Sequence, residues 1–271
     1  MGELRETAMM DEHRRILDAR GFAVLEAILS PGQVRALRAT IDEYARARVT
    51  IGPYGLICHN PWPDVPLLFR VIEETLAPLA CALLDADEVI LFQDIFIGKP
   101  PGTAAVQWHQ DYSYWPLDRC HGLTMWLALD HADVDNGCLR YIPGTHRLGE
   151  KRPADFFVGT SQPVGDDLPP LAAEAHADRA VDAPVAAGSL LVHHPLVWHM
   201  SPVNESMRPR HAWSLTWLLP DVRWRPEHAP HPFVHSLQPQ SNQPVRGELF
   251  PRFVPDPDPG PDPTPTPMLI A

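Results

Sequence analysis

Residues 88–98 read EVILFQDIFIG, and the chain returns to this texture in GLTMWLALD at 122–130, CLRYIP at 138–143, GSLLVHH at 188–194 and HAWSLTWLL at 211–219. Each run is short, rich in β-branched and aromatic residues, and bounded by Gly, Pro, Asn or Asp, which is the pattern of strands separated by turns. It predicts an all-β barrel or sandwich over roughly residues 87–220. The segment before it, 1–86, is written for helices. Between Thr7 and Arg20, apolar Met10, Ile16 and Leu17 stand among charges with Gly21 behind them, the pattern of an amphipathic helix closed by glycine. Val34, Leu37, Ile41 and Tyr44 recur every three or four residues in a second helix expected over 31–48, and a third is expected over 66–84.

The remaining segments carry no such period. Residues 149–187 are rich in Pro, Ala and Asp, long for a simple connection, and read either as a lid over a site or as a surface excursion. From 251 to 271 prolines alternate with other residues, so a mobile extended tail is expected there. The chain of 271 residues, 45% hydrophobic, is long enough for one sizeable core, and a single domain over 1–250 is the simplest organisation.

Charge narrows the partners. A formal net charge of −12 gives no cationic face for nucleic acid or an anionic membrane surface, which leaves a small-molecule substrate. Cys58, Cys81, Cys120 and Cys138 form no CxxC pair, so they read as reduced thiols. With no export signal or run of 18 apolar residues, a cytoplasmic location is expected.

Chemistry concentrates at residues 108–116, WHQDYSYWP. On a strand, residues i and i+2 share a face, so His109 and Asp111 can offer an imidazole nitrogen and a carboxylate to one ion while Gln110 points away. A third imidazole would complete the two-His-one-carboxylate arrangement of non-heme Fe(II) oxygenases, which leaves three coordination positions open. The stretch 190–217 offers His193, His194, His199 and His211, and His199 is the choice because it closes an apolar run just before a turn. A hairpin through that turn would place His199 and Arg210 on neighbouring strands, with a guanidinium able to fork onto a carboxylate. Arg208 is the rival to Arg210.

These residues, with the MWLALD and NGCLRYIPGTH segments at 125–130 and 136–146 and HMSPVNESMRPR at 199–210, resemble the phytanoyl-CoA dioxygenase family of Fe(II)/2-oxoglutarate-dependent oxygenases. The match runs in order over roughly residues 90–217, with Thr145 where that family has Ser. The resemblance implies a mainly β fold, a double-stranded β-helix or jelly roll with the N-terminal helices packed around it. It assigns the metal ligands to His109, Asp111 and His199, and the 2-oxoglutarate anchor to Arg210 with Ser201. More loosely, it brings Gln93 and Thr124 to the cosubstrate and Trp115 to the substrate, although inward strand positions and a packed tryptophan account for these equally well. The cofactors implied are Fe(II), 2-oxoglutarate and O2. The implied reaction is hydroxylation of an unactivated C–H bond in a small metabolite or natural product, with succinate and CO2 as co-products. An acyl-CoA substrate and a metal-binding jelly roll without oxygenase activity are the alternatives. The Asn136-Gly137 and Pro143-Gly144 pairs read as turns, and His146 as a structural histidine.

Overall fold

The computed structural model describes residues 2–46, 48, 50–52, 55–152 and 168–254, with side chains described from residue 7 onward. Helix α1 (Gly2–Arg20) runs into strand β1 (Phe22–Leu25) through Gly21, whose φ is +83°. A Cβ at Gly21 would lie 2.5 Å from His146 Nδ1, so this glycine serves both the left-handed turn and a close approach. Helix α2 (Pro31–Ala45) starts with a reciprocal capping box between Ser30 and Gln33 and buries Val34, Leu37 and Ile41 on one face. It ends three residues before the position expected.

Strands β2 (Thr50–Gly52) and β3 (Gly55–His59) follow. The single helix expected over 66–84 is α3 (Pro66–Val71), a π turn at Ile72–Leu76, and α4 (Ala77–Leu84). Pro78 is the physical cause: it lacks an N–H for the carbonyl of Glu74, and its ring crowds that carbonyl, so the helix widens there.

The β region comprises β4 (Val89–Lys99), β5 (Val106–His109), β6 (Gly122–Ala128), β7 (Leu139–Ile142), β8 (Val181–Ala183), β9 (Leu190–His193), β10 (Trp198–Ser201) and β11 (Arg210–Leu218). After it come α5 (Pro232–Leu237) and β12 (Arg252–Phe253). The strands form two antiparallel sheets, ordered β1-β9-β6-β11-β4-β3-β2 with β12 added to β4, and β5-β10-β7-β8. Contacts between inner faces, such as Phe22 of β1 stacked 4.2 Å from Tyr141 of β7, make this the jelly roll.

Alternation along β11 separates two cores. Trp213, Leu215 and Trp217 face α2, α3 and α4 and join Leu37, Ile41, Leu68 and Ile72 in the largest cluster. Ala212 faces inward with Trp126, Tyr141 and Leu191. Each fully buried side chain of this kind stabilises the fold by roughly 1.5–3 kcal/mol. A third, aromatic cluster closes one end of the barrel around Phe92, Trp224, Phe233 and Phe250.

Three sequence expectations change. The helical N-terminal part also supplies β1, β2 and β3, strands too short to show an alternating pattern. The tail expected from 251 begins later, because Arg252–Phe253 pairs with β4 and Phe253 packs into the main core; residues 255–271 lie outside the described residues. Of the excursion at 149–187, residues 153–167 lie outside the described residues, while Ala173–Arg179 forms a 3-10 turn and β8 pairs with β7. Among the described residues no helix is long and apolar enough to cross a membrane.

Candidate metal centre

His109 on β5 and His199 on β10 are register partners across the smaller sheet, with ring centroids 4.1 Å apart. Each ring is oriented by its own strand. His109 Nδ1 lies 2.8 Å from the Gln107 carbonyl and His199 Nδ1 lies 3.1 Å from the Val197 carbonyl. A carbonyl only accepts, so each Nδ1 carries the proton and each Nε2 the lone pair a metal needs. Burial lowers the pKa of both histidines, which favours the neutral, ligating form.

Asp111 reaches the same point by a different route from the one expected. The strand stops at His109, and Asp111 has helical φ and ψ at the start of a 3-10 turn, Tyr112–Tyr114. Gln110 holds this bend: its amide donates to the Leu196 carbonyl at 2.7 Å and the Gly149 carbonyl at 3.1 Å, and its oxygen accepts from Lys151 N at 2.7 Å. Asp111 Oδ1 then stands 3.4 Å from His199 Nε2 and 3.7 Å from His109 Nε2. Burial works to raise the Asp111 pKa, but the facing imidazoles of His199, His193 and His109 outweigh it and hold the carboxyl below its ordinary range. One donor atom from each of the three residues lies within 4.8 Å of the others. Two imidazole lone pairs facing a carboxylate oxygen repel unless a cation lies between them, so this donor set fits a divalent transition metal.

A second polar group is buried nearby. Arg210, 2% exposed, donates from Nη2 to Ser201 Oγ at 3.1 Å, and its guanidinium lies over the Trp126 ring at 5.1 Å. Its Nε and Nη1 have no partner among the described residues. Leaving such donors buried and unpaired costs about 1–3 kcal/mol each, which marks a place prepared for an anion. Lys99, fully buried and paired with Arg210 across β4 and β11, donates to the same Ser201 Oγ at 3.0 Å. Gly137, at φ +81°, makes room for it, since a Cβ there would lie 3.0 Å from Lys99 Cε.

With this geometry in place, comparison with known proteins identifies the lineage. The sequence pattern of the family described as Phytanoyl-CoA dioxygenase (PhyH) matches residues 17–212. The chain belongs to the phytanoyl-CoA dioxygenase family. A phytanoyl-CoA dioxygenase domain-containing protein 1 of Danio rerio is 31% identical over 163 residues, covering 55% of this chain and 52% of that protein. The chain spans about half the length of the curated relatives it matches. Among solved structures, the non-heme alpha ketoglutarate dependent carbocyclase SnoK from nogalamycin biosynthesis superposes with a TM-score of 0.75 at 25% identity, covering 89% of this chain and 95% of that one. EvdO2 of Micromonospora carbonacea var. aurantiaca, complexed with 2-oxoglutarate, does so with a TM-score of 0.57 at 26% identity, covering 76% and 89%.

In this member of the phytanoyl-CoA dioxygenase family, the residues singled out from sequence fall in different places. His109, Asp111 and His199 converge, and Arg210 and Ser201 meet each other. The hairpin expected between His199 and Arg210 is absent: β10 and β11 lie in different sheets, and Arg210 reaches Ser201 across the barrel interior. Ser201 is fully engaged, since its hydroxyl donates to the Gly137 carbonyl at 2.9 Å while accepting from Lys99 and Arg210. It braces the two cations and has no hydrogen left for a ligand. Thr124 donates to Asp111 Oδ2 at 2.7 Å, and Gln93 accepts from His231 Nε2 at 3.2 Å. Trp115 is not brought to the site: it is 3% exposed and packs with Phe92 and Tyr112 in the aromatic cluster at the barrel end. Arg208 is a half-exposed surface residue paired with Asp133 at 2.7 Å. His146 donates from Nε2 to the Asp18 carbonyl, closing the end of α1 as a structural histidine. Sequence reasoning missed Lys99, whose signal was its parity with Gln93 on β4, and Trp126 beneath Arg210.

Proposed function

We propose that this chain is an Fe(II)- and 2-oxoglutarate-dependent dioxygenase that hydroxylates an unactivated C–H bond of a small metabolite or natural product. The observation that carries this reading is the pairing of a two-His-one-carboxylate donor set with a buried arginine whose Nε and Nη1 lack partners. A metal-binding jelly roll that used no dicarboxylate would have no reason to keep two such donors buried.

Each part of the site has a role in this account. His109, Asp111 and His199 hold the metal from one side, which leaves positions open for a chelating cosubstrate and for O2. When bound, iron(II) with 2-oxoglutarate supplies the oxidising power: one atom of O2 enters the C–H bond as hydroxyl, the other enters succinate, and CO2 leaves. Arg210 and Lys99 receive the far carboxylate of 2-oxoglutarate, and Trp126 forms a wall behind the guanidinium. The protein contributes placement, and a misplacement of about 1 Å costs about 100-fold.

The pocket also bears on substrate class. Ile95 and Ile97 share the inward parity of Gln93 and Lys99 on β4, and Ile57 pairs with Ile97 from β3. All three isoleucines are half-buried although they face inward, so the barrel is open beside them and its wall there is apolar and neutral. Such a wall suits a small, largely apolar substrate better than an acyl-CoA, whose phosphates would need several cations.

The test is succinate release by the iron-loaded protein under air, screened against pools of small metabolites. A pool that raises succinate well above the substrate-free rate supports the reading. No succinate above a no-enzyme control, with iron and 2-oxoglutarate both bound, would refute it.

A further inference from the structure

The two oxygens of Asp111 have different surroundings. Oδ1 faces the two histidine ligands, while Oδ2 accepts from Thr124 Oγ1 at 2.7 Å and lies 3.0 Å from His193 Nε2. His193 is 2% exposed on β9, in register with Phe22 of β1 and Thr124 of β6. Its other nitrogen, Nδ1, is 2.9 Å from the Tyr141 hydroxyl. A carboxylate can only accept, so His193 Nε2 carries hydrogen; Nδ1 is then an acceptor, and the Tyr141 phenol donates to it. A single neutral tautomer satisfies all three groups. Tyr141 is itself immobilised, fully buried and stacked on Phe22 with rings 6° from parallel. The result is a chain of hydrogen bonds from β7 through β9 to the loop after β5, spanning both sheets.

We propose that His193 is a positioning residue that keeps Asp111 Oδ2 engaged, so that the carboxylate offers a metal one oxygen only. The proposal rests on the reading of His109, Asp111 and His199 as a metal centre. Its consequence concerns the open positions. A carboxylate freed to turn about its terminal bond can bring both oxygens to the ion, and the second would occupy a position that a chelating cosubstrate requires. Thr124 alone restrains one direction of that turn; His193, buttressed by Tyr141, restrains it from the opposite strand.

The experiment uses cobalt(II) as the probe, titrated into metal-free protein without cosubstrate and followed by its visible absorption. His193→Phe keeps the bulk and removes the donor, His193→Gln returns a donor near the Nε2 position, and Tyr141→Phe releases the tautomer while leaving His193 in place. We expect His193→Phe to bind cobalt about 10- to 100-fold more weakly, the usual cost of losing a partner of a ligand. Its absorption should also be weaker, as a second carboxylate oxygen raises the coordination number. His193→Gln should recover much of both, and Tyr141→Phe should show a shifted spectrum. Wild-type affinity and an unchanged spectrum in His193→Phe would overturn the proposal. Should that variant fail to fold by circular dichroism, Tyr141→Phe decides: a shifted spectrum supports the role and an unchanged one overturns it. Absence of cobalt binding by the wild-type protein would instead overturn the metal-centre reading on which this depends.

Discussion

Lys99 and Arg210 face each other across β4 and β11 and donate to one oxygen, Ser201 Oγ, from 3.0 and 3.1 Å. Two buried cations share a single hydroxyl, and no carboxylate is hydrogen-bonded to either. Burial, assisted by the charge on Arg210, lowers the Lys99 pKa to about 7. An arriving dicarboxylate favours the charged ammonium and raises that pKa again. Below pH 7 the ammonium is already present, so binding takes up no proton; above pH 7 a proton must be acquired, and affinity for 2-oxoglutarate should fall as pH rises. Calorimetric titration at pH 6.5 and 8.5 checks this, and Lys99→Met should bind more weakly at both and lose the dependence.

Lys99 also makes a stability prediction of defined sign. Its folded pKa is below its unfolded value near 10.4, so the unfolded chain binds more protons between about pH 7 and pH 10. Within that window this residue makes the fold more stable as pH rises. Chemical denaturation of Lys99→Met should show a shallower rise than the wild-type protein over the same range.

Arg210→Ala should weaken 2-oxoglutarate binding by about ten-fold to more than a hundred-fold, the equivalent of roughly 1.5–3 kcal/mol for charge-assisted hydrogen bonds. Arg210→Lys should fall between, because it keeps the charge and loses the planar fork. Metal affinity should be close to normal in both. Arg208→Ala, which removes only a half-exposed ion pair with Asp133, should leave 2-oxoglutarate affinity unchanged.

His109→Ala, Asp111→Ala and His199→Ala should each lose stoichiometric iron(II) binding in equilibrium dialysis. His194→Ala should keep it, since His194 accepts from the Leu196 amide and packs on His146 away from the donor set. Retained binding in His199→Ala with loss in His194→Ala would reverse the assignment.

Phe253→Ala tests where the domain ends. Phe253 packs on Phe69 and Trp217, so its truncation should cost about 3 kcal/mol and lower the melting temperature by roughly 6–12 °C. An unchanged melting temperature would return residues 251–254 to the tail.

The parts of this site that sequence reveals are those fixed by spacing. His109-x-Asp111 needs only a strand ending in a bend, and His199 and Arg210 keep their order in any jelly roll. What sequence hides is which strands share an interior. Lys99 looks like a polar strand terminus until β4 and β11 are paired, and His193 looks like a rival ligand until its ring is found between Asp111 and Tyr141. The β10 to β11 connection reads as a hairpin because its length allows one, whereas the two strands separate into different sheets. Trp115 fails for a related reason: four residues past Asp111 it has already turned through the 3-10 segment into the aromatic cluster.

The central claim is that the His109, Asp111 and His199 centre binds its metal together with a dicarboxylate held by Arg210. Anaerobic titration of the iron(II)-loaded protein with 2-oxoglutarate, followed by visible absorption, tests it most directly. The account predicts a new absorption band that saturates at one equivalent per chain, is absent in His199→Ala, and needs at least ten-fold more 2-oxoglutarate in Arg210→Ala. A protein that binds iron at this centre yet shows no spectral change with 2-oxoglutarate, or gives the same titration in Arg210→Ala as in wild type, would contradict it.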